Sequence, residues 1–439
     1  MSDYIQNPKY SCALGAQQTV IAIPKGVPIV HAGPGCSVKI SGFFDRGQGY
    51  AGGNTVPCTN ASSEDVVFGG SNKLEKLIES TFKILDGDIY VVLTGCTSDV
   101  IGDDIASVVK DFQEDGKPVV YVETGGFKSN NYVSHSRVVN AVIDQYVDRF
   151  YEKREKTAGL VNVFASIPDQ DPYWEGNLEE LKRILEGIGL NVNILFGAKS
   201  KGVEEWKTIP DAEFNLVVSS WAGLEIAEHL EKKYGTPYLH FPYFPIGGQQ
   251  TVSFLNQITA FTGIGRERAD RFIQEEEDRF YAYLEKMADF ILEFKYGLPR
   301  KYYIVLDASY AVGLSKFLLN ELGILPGKIY ITDGTPEQYR DGIEEEFRNI
   351  SEYRQAAVEF ETDGGRIIEE IRADERRSRT IVLGTAWESP LAKEINADFL
   401  IVGVPLTYKL VLNSAYVGFN GGLHIMEEIY NGVLHTYRA

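Results

Sequence analysis

The chain has 439 residues, 44% of them hydrophobic, so it can bury two or three cores of ordinary domain size, and a single small domain is excluded. Its 62 acidic residues against 43 basic ones give a formal charge of -19, which argues against a protein that holds nucleic acid or anionic lipid by counterion release. The opening MSDYIQNPKY lacks a basic region followed by an apolar one, and no uninterrupted apolar run approaches eighteen residues; the expected location is the cytoplasm, with no membrane segment.

From the N-terminus onward, strand, turn and helix alternate. VPIVHAGPGC and DIYVVLTGC are short apolar runs closed by glycine. SNKLEKLIESTFKIL and DDIASVVKDF follow helical spacing; in the second, Ile105, Val108, Val109 and Phe112 share a face, and Asp103 and Asp104 suit the positive end of the helix dipole. The alternation restarts after Thr157 with VNVFASI, a helix from about Asn177 to Ile188, VNILF, FNLVVSS, WAGLEIAEHLEKKYG and TPYLHF. It restarts again beyond the aromatic helix EEEDRFYAYLEKMADFILEFKYG with YYIVLDA, SYAVGLSKFLLNELG, KIYITDG, TIVLG and ADFLIVGV. The expected architecture is therefore α/β, with three Rossmann-like, doubly wound parallel-sheet domains over residues 1–157, 158–297 and 298–439.

Ligands in open sheets of this kind collect outside the carboxyl ends of the strands. Cys36 and Cys96 fall at such ends, while Cys12 stands immediately before or at the first turn of a helix, where backbone N–H groups favour a thiolate. Each has glycine or another small residue beside it, which lets backbone approach an inorganic group and donate hydrogen bonds to its sulfurs. A joint cluster site in the first domain is one reading; three compact buried thiols is the other, and spacing alone does not separate them. CxxC pairs are absent, which weakens zinc-ribbon and thioredoxin readings.

Several features read as structural. Gly47, Gly49 and Gly52 in GQGYAGG make a formal GxGxxG, but no clean strand precedes it and no helix pattern opens on it, so the expectation is a surface loop. There is no GxxxxGK[ST], so any nucleotide hydrolysis must be done by another protein. His31 is expected to be a hydrogen-bonded packing residue, the helix around Phe280 to Phe294 a core or subunit contact, and the acid run EEEDR a solvated face.

SCALGAQQTV, IVHAGPGCSVKISG, SEDVVFGG and LTGCTSDVIGDDI, in this order and at these intervals, closely resemble the N-terminal domain of component 1 of nitrogenase and its relatives. The likeness continues through NLVVSSWAGLEIAEHLEKKYGTPYLHFP and the C-terminal LIVGVPLT and AYVGFNGGLHIMEEIYNGVL, covering nearly the whole chain. This resemblance implies a heterotetramer of two α-type and two β-type subunits. It also implies that Cys12, Cys36 and Cys96 are the thiolates given to the iron of an interface iron–sulfur cluster of the P-cluster type, while Cys58 matches no ligand position. The cysteine and histidine that hold the iron-sulfur-carbon cofactor in the catalytic subunit are matched by Ser219 and Tyr408, poor ligands for iron, so the chain resembles the β-type partner that lacks this cofactor.

Two departures stand out: a serine that can ligate the oxidised P-cluster is matched by Gly126, and the phenylalanine offered to the ATP-hydrolysing reductase falls near Ala61 or Ser62. With the short stretch before Cys12, they point to an electron-relay subunit of a nitrogenase-like reductase. Such a subunit receives electrons from a separate iron protein and passes them to the α-type subunit; reductive carbon–sulfur cleavage of methylthio-alkanes is the expected reaction. A β subunit of a dinitrogen-reducing enzyme and a cofactor-assembly scaffold are the alternatives, and no catalytic acid, base or nucleophile is assigned to this chain.

Overall fold

The computed structural model describes residues 13–47, 56–128, 130–153, 155–374, 379–407 and 409–438, with backbone alone at 41–47 and 436–438. Strands β1 (Gly26–His31), β2 (Ile89–Thr94) and β3 (Val119–Val122) form a parallel sheet in that order. With it go helices α1 (Leu14–Ala22), α2 (Pro34–Gly47), α3 (Ser63–Phe68), α4 (Ser71–Ile84), α5 (Cys96–Ile101), α6 (Ile105–Glu114) and α7 (Asn131–Gln145). β2 is buried along its whole length, which is why it reads as an unbroken apolar run; strands of a parallel sheet covered on both faces carry no polar alternation.

The second sheet contains β4 (Thr157–Phe164), β5 (Asn191–Asn193), β6 (Ala212–Val218) and β7 (Tyr238–Phe241) in the order β5-β4-β6-β7. Its helices are α8 (Trp174–Ile188), α9 (Val203–Trp206), α10 (Leu224–Tyr234), α11 (Gly247–Thr262) and α12 (Arg266–Phe294). A third sheet, ordered β10-β9-β8-β11-β12, is built from β8 (Lys301–Leu306), β9 (Leu325–Ile331), β10 (Val358–Phe360), β11 (Thr380–Gly384) and β12 (Asp398–Ile401). Around it lie α13 (Ala308–Asn320), α14 (Glu337–Arg348), α15 (Gly364–Arg372), α16 (Ser389–Glu394) and α17 (Gly418–Arg438). Every pairing in the three sheets is parallel, and strand order reverses between β4 and β6 and between β8 and β11, as the alternating pattern leads one to expect. One apolar core runs from Val20 of α1 and Ile23 just after it through Val161 and Leu216 to Ile304 and Leu383.

Local rules account for the helices that frame the first sheet. Leu74 and Ile78 of α4, with Ile105 and Val109 of α6, close over one side of it. Asp104 caps α6, its carboxylate accepting the Ser107 N–H at 2.9 Å, whereas Asp103 turns inward instead of serving the helix dipole. α12 divides the aromatic run: Phe280 is fully buried, but Tyr283, Phe290, Leu292 and Phe294 are exposed. The acid run is not wholly a solvated face either, because Glu276 accepts from Arg183 of α8 at 2.7 Å and from Arg279 at 2.8 Å. Of GQGYAGG, Gly47 ends α2, and the remainder lies outside the described residues.

Candidate metal centre

The register of β1 on β2 pairs Val30 with Leu93 and His31 with Thr94, so both strands end level and their two cysteine turns emerge side by side. Cys36 lies in the first turn of α2 and is half-buried; Cys96 opens α5 and is exposed. Gly95 lets the turns meet. A Cβ built on it would stand 2.5 Å from the Ala32 Cβ and 3.3 Å from the Cys36 Sγ, so a side chain there would push the turns apart. The Gly126 backbone N–H donates to the Cys96 Sγ at 3.2 Å. Soft thiolates suit iron–sulfur centres, and N–H···S bonds are among the levers that set their potential. The fit is thus chemically sound for these two residues.

The loop that supplies that N–H is tied down by α5 itself. Asp99, its side chain almost fully buried, accepts from the Gly125 N–H at 3.2 Å and pairs with Lys128 at 3.2 Å. Lys128 also pairs with Glu123 at 2.5 Å; these carboxylates, Glu123 first, hold its pKa above the ordinary lysine value. Thr124 fixes the start of the loop on β2 by donating its hydroxyl to the Thr94 carbonyl at 2.7 Å.

Cys12 lies outside the described residues. The helix it precedes begins at Leu14, and the Gln17 side chain on α1 donates to the Cys36 carbonyl at 3.0 Å, which brings the start of α1 to the Cys36 turn. Among the described residues, no three His, Cys, Asp or Glu side chains come close enough together to hold a metal ion. Cys58 takes a different part: its thiol donates to the Ala32 carbonyl at 3.4 Å and accepts the Asn60 N–H at 3.4 Å, bracing the turn ahead of Cys36.

Ser219 follows β6 at the reversal in the second sheet and is 1% exposed. Its hydroxyl is spent on the Ala222 carbonyl, and its carbonyl accepts from His240 at 2.7 Å. The cavity beside it, lined by Tyr132, Ser166, Asp171, Phe244 and Ser309 among others, is about 20 Å³, room for about one water molecule. Tyr408 lies outside the described residues. At the back of this cavity the Asp171 carboxylate accepts from the Tyr310 hydroxyl at 2.9 Å and from the Asn177 amide at 2.7 Å; burial pushes its pKa up to about 6.

His31 is buried and hydrogen-bonded, as expected, but its partner is not legible in the sequence: Nε2 donates to Asp103, 72 residues away, at 2.9 Å. Likewise unanticipated is an exposed apolar rim on α3, α5 and the Gly126 loop. Phe68, at the end of α3, is 82% exposed, and Val67, Val100 and Phe127 are exposed with it. Val100 stands one helical turn from Cys96, and Phe127 follows Gly126. Ala61 and Ser62 lead into α3, with Ser62 as its N-cap, so the phenylalanine this segment presents to solvent is Phe68. SEDVVFGG carried the signal: three apolar residues in a six-residue helix with no buried position.

Three parallel sheets, with two thiols at the carboxyl end of the first, define an α/β chain of the multi-sheet kind. The chain belongs to the nitrogenase component 1 type oxidoreductase family, whose model matches residues 11–434. It is 24% identical to the nitrogenase molybdenum-iron protein beta chain of Methanococcus maripaludis, over 98% of this chain and 95% of that one. It is 26% identical to the corresponding alpha chain of Methanothermobacter marburgensis, over 96% and 87% of the two chains. A light-independent protochlorophyllide reductase polypeptide of Trichormus variabilis is 25% identical, over 78% of this chain and 66% of that one. Among solved structures, nitrogenase Cp1 at pH 6.5 superposes with a TM-score of 0.78 at 20% identity, covering 99% of this chain and 94% of that one. Among the described residues no helix is long and apolar enough to cross a membrane.

Proposed function

We propose that this chain is the β-type, electron-relay subunit of a cytoplasmic, two-component, ATP-dependent reductase, with units divided near residues 157 and 298. Cys12, Cys36 and Cys96 would hold the iron of an interface cluster completed by an α-type subunit. The observation that carries this reading is the level ending of β1 and β2. It sets Cys36 against Gly95 and leaves the Cys96 sulfur open, accepting an N–H from Gly126. Such a cluster, once bound, supplies one-electron storage and transfer. The chain's own residues act by position: Gly126 donates to a sulfur, Asp99 and Lys128 hold the loop that carries Gly126, and the Cys58 thiol steadies the turn before Cys36.

The α-type partner accounts for part of the apolar rim. Exposed Val100, one helical turn from Cys96, and Phe127, next to Gly126, form a surface that a second polypeptide would cover, keeping water from the sulfurs, while Phe68 is left for the iron protein. An iron protein that hydrolyses ATP supplies the electrons, since this chain has no GxxxxGK[ST]. The cofactor that performs bond chemistry belongs to the α-type subunit: a 20 Å³ cavity beside a committed Ser219 hydroxyl offers neither space nor a soft ligand. For the reaction, the departures at Gly126 and at Ala61 and Ser62 set the chain apart from dedicated dinitrogen-reducing β subunits, and we infer reductive carbon–sulfur cleavage of methylthio-alkanes. A dinitrogen-reducing β subunit is the second reading, favoured by the near full-length likeness to nitrogenase beta chains. A cofactor-assembly scaffold accounts less well for three cysteines at the relay positions.

The test is anaerobic co-purification with the α-type partner, iron analysis and EPR. The complex should be brown, contain iron, and with its iron protein release methane or ethylene from methylthio compounds. Acetylene and dinitrogen reduction without that release selects the second reading. An iron-free complex that still turns over removes the relay assignment altogether.

A further inference from the structure

We propose that His31 and Asp103 are positioning residues that set the relative placement of the two cysteine turns; this rests on the reading of Cys36 and Cys96 as a joint redox site. His31 closes β1, five residues before Cys36, and Asp103 follows α5, seven residues after Cys96. Both side chains are buried, 1% and 4% exposed. His31 Nε2 donates to Asp103 Oδ2 at 2.9 Å, and Nδ1 shares a hydrogen bond with the Thr59 hydroxyl at 3.1 Å. That hydroxyl also accepts the Ala32 N–H at 3.1 Å, so the imidazole is fixed from both ring nitrogens.

The backbone of the same residue holds the other turn. The His31 carbonyl accepts the Gly95 N–H at 3.0 Å and the Ser98 hydroxyl at 2.5 Å, pinning the residue before Cys96 and the first turn of α5. Asp103 reaches further: its Oδ1 accepts the Gly70 N–H at 2.8 Å at the junction of α3 and α4. Only glycine fits there, since a Cβ would stand 2.9 Å from the His31 ring and 3.0 Å from Asp103 Oδ2. One imidazole–carboxylate pair thus joins the end of β1, both ends of α5 and the base of the helix that presents Phe68. A buried pair of this kind contributes little net stability, but it fixes geometry, and breaking it leaves a buried charge without its partner. Cys36 and Cys96 hang from the two strand ends it ties together.

Three variants of the full chain, in the α-type complex, test this. His31→Gln places an amide where Nε2 stands and should keep iron content and cluster midpoint potential near wild type. His31→Phe keeps ring volume without either bond and should shift the midpoint while the complex still assembles; in the metal-free chain, Cys96 alkylation should quicken several-fold. Asp103→Asn, close to isosteric and able to accept from Gly70, should shift the midpoint in the same direction, and decides the matter if the Phe variant does not fold. Wild-type midpoint and alkylation rate in both the Phe and Asn variants would overturn the proposal. Should the wild-type complex hold no iron, the redox reading fails, and the alkylation rates alone still decide whether the pair positions Cys96.

Discussion

At the scale of single residues Cys96 and Cys58 differ in what surrounds their sulfurs. Cys96 is exposed and accepts a backbone N–H, whereas the Cys58 thiol is occupied by the Ala32 and Gly33 carbonyls. Cys96→Ala should therefore cost the anaerobic complex iron and colour, and Cys58→Ala should leave the iron content unchanged while lowering stability by about 1 kcal/mol, measured by denaturant titration. Gly126→Ser keeps the N–H donor and adds a hydroxyl near the sulfur. Its expected signature is an altered EPR spectrum of the oxidised complex at wild-type iron content.

Elements decide whether those residues meet. Gly95→Ala would force the β2–α5 turn off Ala32, a small-to-large change costing about 1–3 kcal/mol and separating the Cys36 and Cys96 turns. Loss of iron from an otherwise folded complex is its readout. Asp104→Ala removes the α6 cap for about 1 kcal/mol and should leave the iron content alone, because this cap faces solvent. α1, which leads from Cys12, is fastened to α7 by the Thr19 hydroxyl and His135 Nδ1 at 2.9 Å. Burial pushes the His135 pKa down to about 3, so the ring stays neutral in the folded chain while the unfolded chain protonates it below pH 6.5. The unfolded state then binds the extra proton. Stability from this site is present above pH 6.5 and is lost as pH falls towards 3, so hydrogen exchange in α1 and α7 should accelerate on acidification.

On the scale of the whole molecule, the second and third sheets meet at a polar junction. Asn177 donates to Asp171 and accepts the Tyr416 N–H at 2.8 Å, Tyr173 donates to the Ile401 carbonyl at 3.0 Å, and Tyr173 and Tyr416 stack at 3.8 Å. Asp171 gives this junction a pH dependence opposite in sign to that of His135. Burial raises its pKa from 3.8 to about 6, so between these values the folded state binds more protons than the unfolded one. Stability falls as pH rises across that window and levels off above it, by about 3 kcal/mol. Asp171→Asn should shrink that fall, read as the difference in denaturation midpoint between pH 4 and pH 7.5 for variant and wild type. An unchanged difference would place the titration elsewhere.

Much of the scaffold was legible along the chain because strands of a covered parallel sheet are mostly apolar: β1, β2, β6, β8 and β11 stand out as apolar runs, and α4 and α6 as helical stripes. β3 and β10 are short and flanked by charge, and they gain their identity only from pairing with β2 and β9. The cysteines could be picked out by their setting at strand ends, since chain-turning small residues next to a thiol are a local pattern. What only the tertiary structure decided is everything that depends on separation in sequence or on backbone atoms. The Gly126 donor has no side chain to read, the His31–Asp103 pair spans 72 residues, and the cavity at Ser219 owes its size to side chains from all three sheets' neighbourhoods. Periodicity is set by neighbours in the chain, whereas a site is set by which strand ends finish level, and that is a property of packing.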